Sequence, residues 1–205
     1  MLISVKHRFV FLCMPKCAST STEAALEPCC EIRLGGNPKL KHVNLRDYLG
    51  NVAPFLRHYF GSTIDEFDIL CLFRHPIGWL NSWYRFRQKE AQQGKRRGPG
   101  PNIMDLTFQD YLELYANDKR GPVHVGRQID RITDDNGQLG RIVLFRYENY
   151  ARFLDYLSRK TGRSIAEKRL NISPGEPTDI SHYNSYLLSE KIGPDWAVYQ
   201  SIPEQ

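Results

Sequence analysis

The segment Phe9–Leu26, F-V-F-L-C-M-P-K-C-A-S-T-S-T-E-A-A-L, constrains this chain more than any other. An apolar run enters a Pro-Lys turn, and four consecutive hydroxyl residues lead into a short helical pattern. The pattern predicts a strand, a loop and a helix whose N-terminus faces an anion. Free backbone N–H groups and the positive end of the helix dipole point into such a loop. Lys16 adds a positive charge, and Ser19, Thr20, Ser21 and Thr22 add hydroxyl donors. The expected ligand is phosphorylated.

The ordinary nucleoside-triphosphate loop reads G-x-x-x-x-G-K-[ST], with glycines wrapping the phosphates and a hydroxyl on magnesium. No glycine occurs between Phe9 and Leu26, and Lys16 stands three residues before the hydroxyl cluster. The later apolar run Ile69–Phe73 ends in Arg74 instead of a metal-holding aspartate. An ATPase or GTPase is disfavoured, and no residue pattern calls for a metal.

Three apolar runs, Phe9–Met14, Ile69–Phe73 and Ile142–Phe145, are short and non-alternating. Strands covered on both faces read this way. Cys29–Leu34 is a weaker fourth candidate. Helices are expected from Asn44–Asp47 to a stop at Gly50, over Ile77–Gln88 behind Pro76, over Phe108–Ala116 behind Thr107, and over Glu148–Lys160 before Gly162. Strands alternating with helices predict an α/β fold with a central, mainly parallel sheet flanked by helices. At 205 residues a single domain, 1–205, is expected. Within it lie a flexible basic loop at about 88–101 and a C-terminal helical piece at about 179–205, preceded by the Pro/Gly-rich Asn171–Asp179.

The net charge of +5 suits an anionic small ligand without calling for nucleic acid. No apolar run approaches the ~18 residues of a membrane span, and the N-terminus lacks the layout of a leader peptide. Cysteines at 13, 17, 29, 30 and 71 form no plausible disulfide or zinc framework. Reduced thiols and a cytoplasmic location are expected.

A second constellation follows the second apolar run. R-H-P-I-G-W-L-N-S places Arg74 at a strand end and Ser82 about two turns into the next helix. A guanidinium and a hydroxyl there can hold a second phosphate.

Together the two motifs resemble the sulfotransferases that use 3′-phosphoadenosine 5′-phosphosulfate (PAPS). The chain is similar to bacterial members of that family and to carbohydrate sulfotransferases. P-K-C-A-S-T-S matches the family's P-K-x-x-[ST]-T-x loop, which binds the 5′-phosphosulfate. R-H-P-I-G-W-L-N-S matches its R-x-P-x(5)-S segment, which binds the 3′-phosphate. V-L-F-R-Y-E-N-Y at Val143–Tyr150 resembles a strand followed by Y-E-[DN], and Asp195–Tyr199 resembles a terminal D-x-x-x-Y. The resemblance spans nearly the whole chain and implies a three-layer, P-loop-like fold. It implies PAPS as donor, adenosine 3′,5′-bisphosphate (PAP) as product and no metal.

The resemblance implies donor contacts from Lys16, Cys17, Ala18, Ser19, Thr20, Ser21, Arg74 and Ser82. Lys16 also carries catalytic charge stabilisation. Ala18 stands where the family has glycine, and a conventional backbone angle is expected there. His42 is the candidate general base, with Glu31 in reserve. The acceptor is a carbohydrate or other small molecule bearing a hydroxyl or amine, and Lys95, Arg96 and Arg97 point to an acidic one. Two alternatives share the scaffold: a non-catalytic nucleotide-binding module and a small-molecule kinase. The sequence is silent on oligomeric state.

Overall fold

The computed structural model describes residues 1–95, 98–117, 123–168, 170 and 189–204. Arg96 and Arg97 of the basic segment, and Asn171–Asp179, lie outside the described residues. In chain order the elements are β1 (Leu2–Ser4), β2 (Phe9–Leu12), α1 (Ser19–Leu26), β3 (Ile32–Arg33), α2 (Pro38–Lys41), α3 (Leu45–Asp47), α4 (Ala53–Phe60), β4 (Asp68–Phe73), α5 (Pro76–Gln92), α6 (Phe108–Ala116), β5 (Ile142–Arg146), α7 (Tyr150–Thr161) and α8 (Ser189–Ser201). They fall into two compact units. The first is Met1–Arg74 with Gln128–Ile172 and Ile202–Gln205, and the second is His75–Arg127 with Ser173–Ser201.

The first unit holds a five-stranded open sheet in the order β3-β1-β2-β4-β5. The three apolar runs become β2, β4 and β5, paired in parallel with Phe9 opposite Asp68 and Ile69 opposite Ile142. The sheet is mixed, not mainly parallel, because β1 pairs antiparallel with both β2 and β3. β1 and β3 are three and two residues long, too short to show a hydrophobic period. The chain is therefore α/β, a mixed sheet with helices.

Phe153 of α7 packs on the sheet, 5.4 Å from Phe11 and 5.2 Å from Phe145 by ring centroid. A 3₁₀ turn, Tyr147–Asn149, precedes α7, so the helix proper starts at Tyr150. Gly162, at φ 66°, ends it in the left-handed conformation expected of a terminating glycine.

Gly50 does not stop the helix that begins after Asn44. The backbone continues through a wide π-type turn, Tyr48–Val52, into α4, and stops at Gly61 with φ 71°. Leu45, Tyr48, Ala53 and Leu56 form one buried face along this path, which favours continuation. The wide turn falls where Pro54 has no N–H for the carbonyl of Gly50.

In the second unit α5 runs four residues past its expected end, to Gln92. A buried Arg87–Glu90 ion pair of 2.8 Å, one turn apart, carries it on. Trp79 is buried, and Trp83 and Tyr84 are half-buried beside it: Trp79 meets Trp83 edge-on, and Tyr84 packs on Phe108 and Tyr111 of α6. Thr107 and Asp110 cap α6 reciprocally, as their spacing predicts. Among the described residues no helix is long and apolar enough to cross a membrane, and no three His, Cys, Asp or Glu side chains gather as a metal site.

Candidate functional site

The loop after β2 is held in an unusual backbone. Lys16 has φ 64° and Ala18 φ 51°, both left-handed, with buried Cys17 between them. Ala18 therefore takes the glycine conformation that its methyl group makes costly, contrary to the conventional angle expected. The reward is geometric. Left-handed Ala18 followed by right-handed Ser19 turns successive N–H groups toward one concavity, as anion nests do. The first α1 bond runs from Thr22 N–H to the Ala18 carbonyl, 2.9 Å, so the N–H groups of Ser19, Thr20 and Ser21 precede it. Among the described residues no side chain caps this end.

The Cβ at position 18 costs about 1–2 kcal/mol, only part of which glycine returns as extra unfolded-state freedom. Ala18→Gly is expected to stabilise the fold by about 0.5–1 kcal/mol, raising Tm by about 1–4 °C. A fall in Tm by calorimetric scan would show the loop geometry to be misassigned.

The hydroxyls divide their roles. Ser21 Oγ donates to the Leu170 carbonyl at 3.1 Å and accepts from its N–H at 3.0 Å, so only the Ser21 backbone remains for a ligand. Thr22 is bonded to the Tyr150 hydroxyl at 3.0 Å. Thr20 Oγ1 accepts from Lys41 Nζ at 3.0 Å and keeps its own proton to donate. Cys17 is fully buried, so its part in an anion site is confined to the backbone, and burial pushes its thiol pKa far up. All five cysteines are free thiols.

Arg74 follows the last residue of β4, and its Nη1 donates to the Lys16 carbonyl at 3.1 Å. The two expected phosphate elements therefore meet at neighbouring strand ends. The guanidinium lies over the Tyr147 ring, 4.4 Å from its centroid, while its Nε is buried without a hydrogen-bond partner among the described residues. A buried donor left unbonded costs about 1–3 kcal/mol, and an anion at this position would satisfy it. The residues thus fit a bound phosphate. Ser82 lies on α5, in the second unit.

His42 stands close to the same strand end. Its Nδ1 lies 2.6 Å from the Cys13 carbonyl. A carbonyl only accepts, so Nδ1 carries the proton and Nε2 holds the free lone pair. Burial lowers the His42 pKa, opposed by the Cys13 hydrogen bond and assisted by the charges of Lys41 and Arg131. The neutral imidazole is the form favoured near pH 7. Arg131 Nη1 donates to the His42 carbonyl at 3.3 Å, bracing the segment from the other side.

Glu23 and Lys41 form a 2.6 Å ion pair with side chains only 5% and 19% exposed. Lys41 is thus committed to α1, whereas Lys39 is exposed. Glu31 accepts from the Val5 N–H at 2.7 Å. Val5 adjoins the start of β2, since Ser4 pairs with Phe9. Cys13 lies four residues further along, about 13 Å at ~3.3 Å per residue. Glu31 is at the wrong end of the sheet to serve as the reserve base.

Three contributors were not legible in the sequence: Gln128, Arg131 and the Tyr147 ring beneath Arg74. Compared with known proteins, the chain matches no family model, no curated protein and no solved structure.

Proposed function

We propose that this chain is a PAPS-dependent sulfotransferase acting on a hydroxyl-bearing carbohydrate or other small acceptor, built on a three-layer, P-loop-like scaffold. One observation carries the reading. Among the described residues, a left-handed Lys16–Ala18 loop with free helix-start N–H groups adjoins an Arg74 guanidinium with an unsatisfied buried Nε, and a histidine with a free Nε2 stands at the same strand end.

In this reading the acceptor oxygen gives its proton to His42 Nε2 and forms the new bond to sulfur. The bond from sulfur to the bridging oxygen breaks, and its electron pair stays on the 5′-phosphate, leaving PAP. Lys16 and the N–H groups of Ser19, Thr20 and Ser21 stabilise that charge. Little covalent work falls to the protein beyond alignment. A cytoplasmic location goes with the free thiols.

The test follows labelled sulfuryl transfer from PAPS to a panel of sugars and small alcohols, without added metal. Label transfer with stoichiometric PAP supports the reading, and PAP binding without turnover on any acceptor would reduce the chain to a binding module. Arg74→Ala is expected to weaken PAP binding about 10- to 150-fold, the worth of a lost charged hydrogen bond. Unchanged PAP affinity in that variant would remove Arg74 from the 3′-phosphate role.

A further inference from the structure

We infer that Gln128 is the positioning residue that sets the spacing between the two anion-binding elements and, through Arg74, the preference for a bisphosphate over a monophosphate. This rests on the donor-binding reading above. Gln128 is fully buried, and its carboxamide works from both ends. Oε1 accepts from the Arg74 backbone N–H at 2.9 Å, and Nε2 donates to the Arg74 backbone carbonyl at 2.8 Å. The side chain thus imitates a neighbouring strand, closing a two-bond ring on the residue just past β4. The second lone pair of Oε1 takes the Cys17 thiol at 3.7 Å.

Cys17 lies between the two left-handed residues of the phosphate loop. One carboxamide therefore holds the middle of that loop and the backbone from which the Arg74 side chain departs. Both Oε1 lone pairs and one Nε2 proton are in use. Glutamate would lose the donor and bury a charge, and a thioether would lose both partners. Gln128 touches neither proposed phosphate; it acts through Arg74. Rotation of the Arg74 backbone would displace the guanidinium and spare the helix-start N–H groups. The Cys17 thiol is a weak donor at 3.7 Å, so its release should disturb the phosphate loop little, and the loss should fall chiefly on the 3′-phosphate.

The experiment measures dissociation constants for adenosine 5′-phosphate and adenosine 3′,5′-bisphosphate in the full chain and in Gln128→Met and Gln128→Glu. The unaltered chain should prefer the bisphosphate. Gln128→Met should lower that preference at least about tenfold while holding monophosphate affinity within about twofold. General destabilisation would weaken both ligands together. In Gln128→Glu the preference, normalised to the unaltered chain, should recover as pH falls from 8 to 6 and the carboxyl regains a proton to donate. An undiminished preference in a folded Gln128→Met chain overturns the inference alone. An unaltered chain with no preference overturns the donor-site reading and this inference with it. If neither variant folds, hydrogen exchange of the unaltered chain decides. The bisphosphate should slow exchange at the Arg74 N–H at least about tenfold more than the monophosphate does. Equal protection by the two ligands would overturn the inference.

Discussion

Lys16→Ala is expected to lower kcat by roughly 10²–10³, the usual consequence of removing one group that meets developing negative charge. PAP affinity should fall as well, because the proposed role sets the same ammonium against the ground-state phosphate. Lysine is required here as a compact charge, and Lys16→Arg should rescue only partly, since a planar fork presents different geometry. The residue's left-handed backbone, φ 64°, leaves its own carbonyl to receive the Arg74 Nη1. Alanine keeps that carbonyl, so the Arg74 contact survives and the loss reports on the side chain. A kcat within threefold of the unaltered chain would exclude Lys16 from the transition state.

His42→Ala is expected to lower kcat by roughly 10²–10⁴ while PAP affinity stays nearly constant. The split follows from position. The Cys13 carbonyl bonds Nδ1 and would leave Nε2 as the proposed base, whereas the loop N–H groups and Arg74 belong to the proposed phosphate contacts. Because burial lowers the His42 pKa, kcat should hold a plateau through pH 7 and decline only as pH falls below the ordinary value of 6.5. A kcat limb falling between pH 7 and 8 would contradict His42 as base. Stability shares the sign. The unfolded chain takes up this proton first, so the contribution is present above about 6.5 and is lost as pH falls through the lower folded value. Chemical denaturation of His42→Gln should lack that part of the acid dependence.

Local chemistry made much of this legible in the sequence. Thr107 and Asp110 announced a capping box, Pro76 a helix start and Gly162 a helix end, and each is decided by atoms within a turn. The strand, loop and helix from Phe9 to Leu26 were legible because proline, lysine and hydroxyls crowd the end of an apolar run. What failed depends on distant partners. Gly50 reads as a stop until Leu45 and Leu56 are seen to share one buried face. Ala18 reads as conventional until the loop around it forces φ 51°. Gln128 carries no local signal, since its meaning is a pair of hydrogen bonds to a residue 54 positions away. Glu31 stood as the reserve base behind His42, and the antiparallel β1 puts it at the far end of the sheet.

In the proposed function the loop at Lys16–Ser21 and Arg74 form one donor site. Titration calorimetry of the purified chain with PAP, in metal-free buffer, tests it most directly. One-to-one binding is expected, with a dissociation constant in the micromolar range, about −8 kcal/mol, that is weakened by Arg74→Ala and indifferent to magnesium. No heat with PAP, or tighter binding of ATP that requires magnesium, would contradict it and favour a kinase.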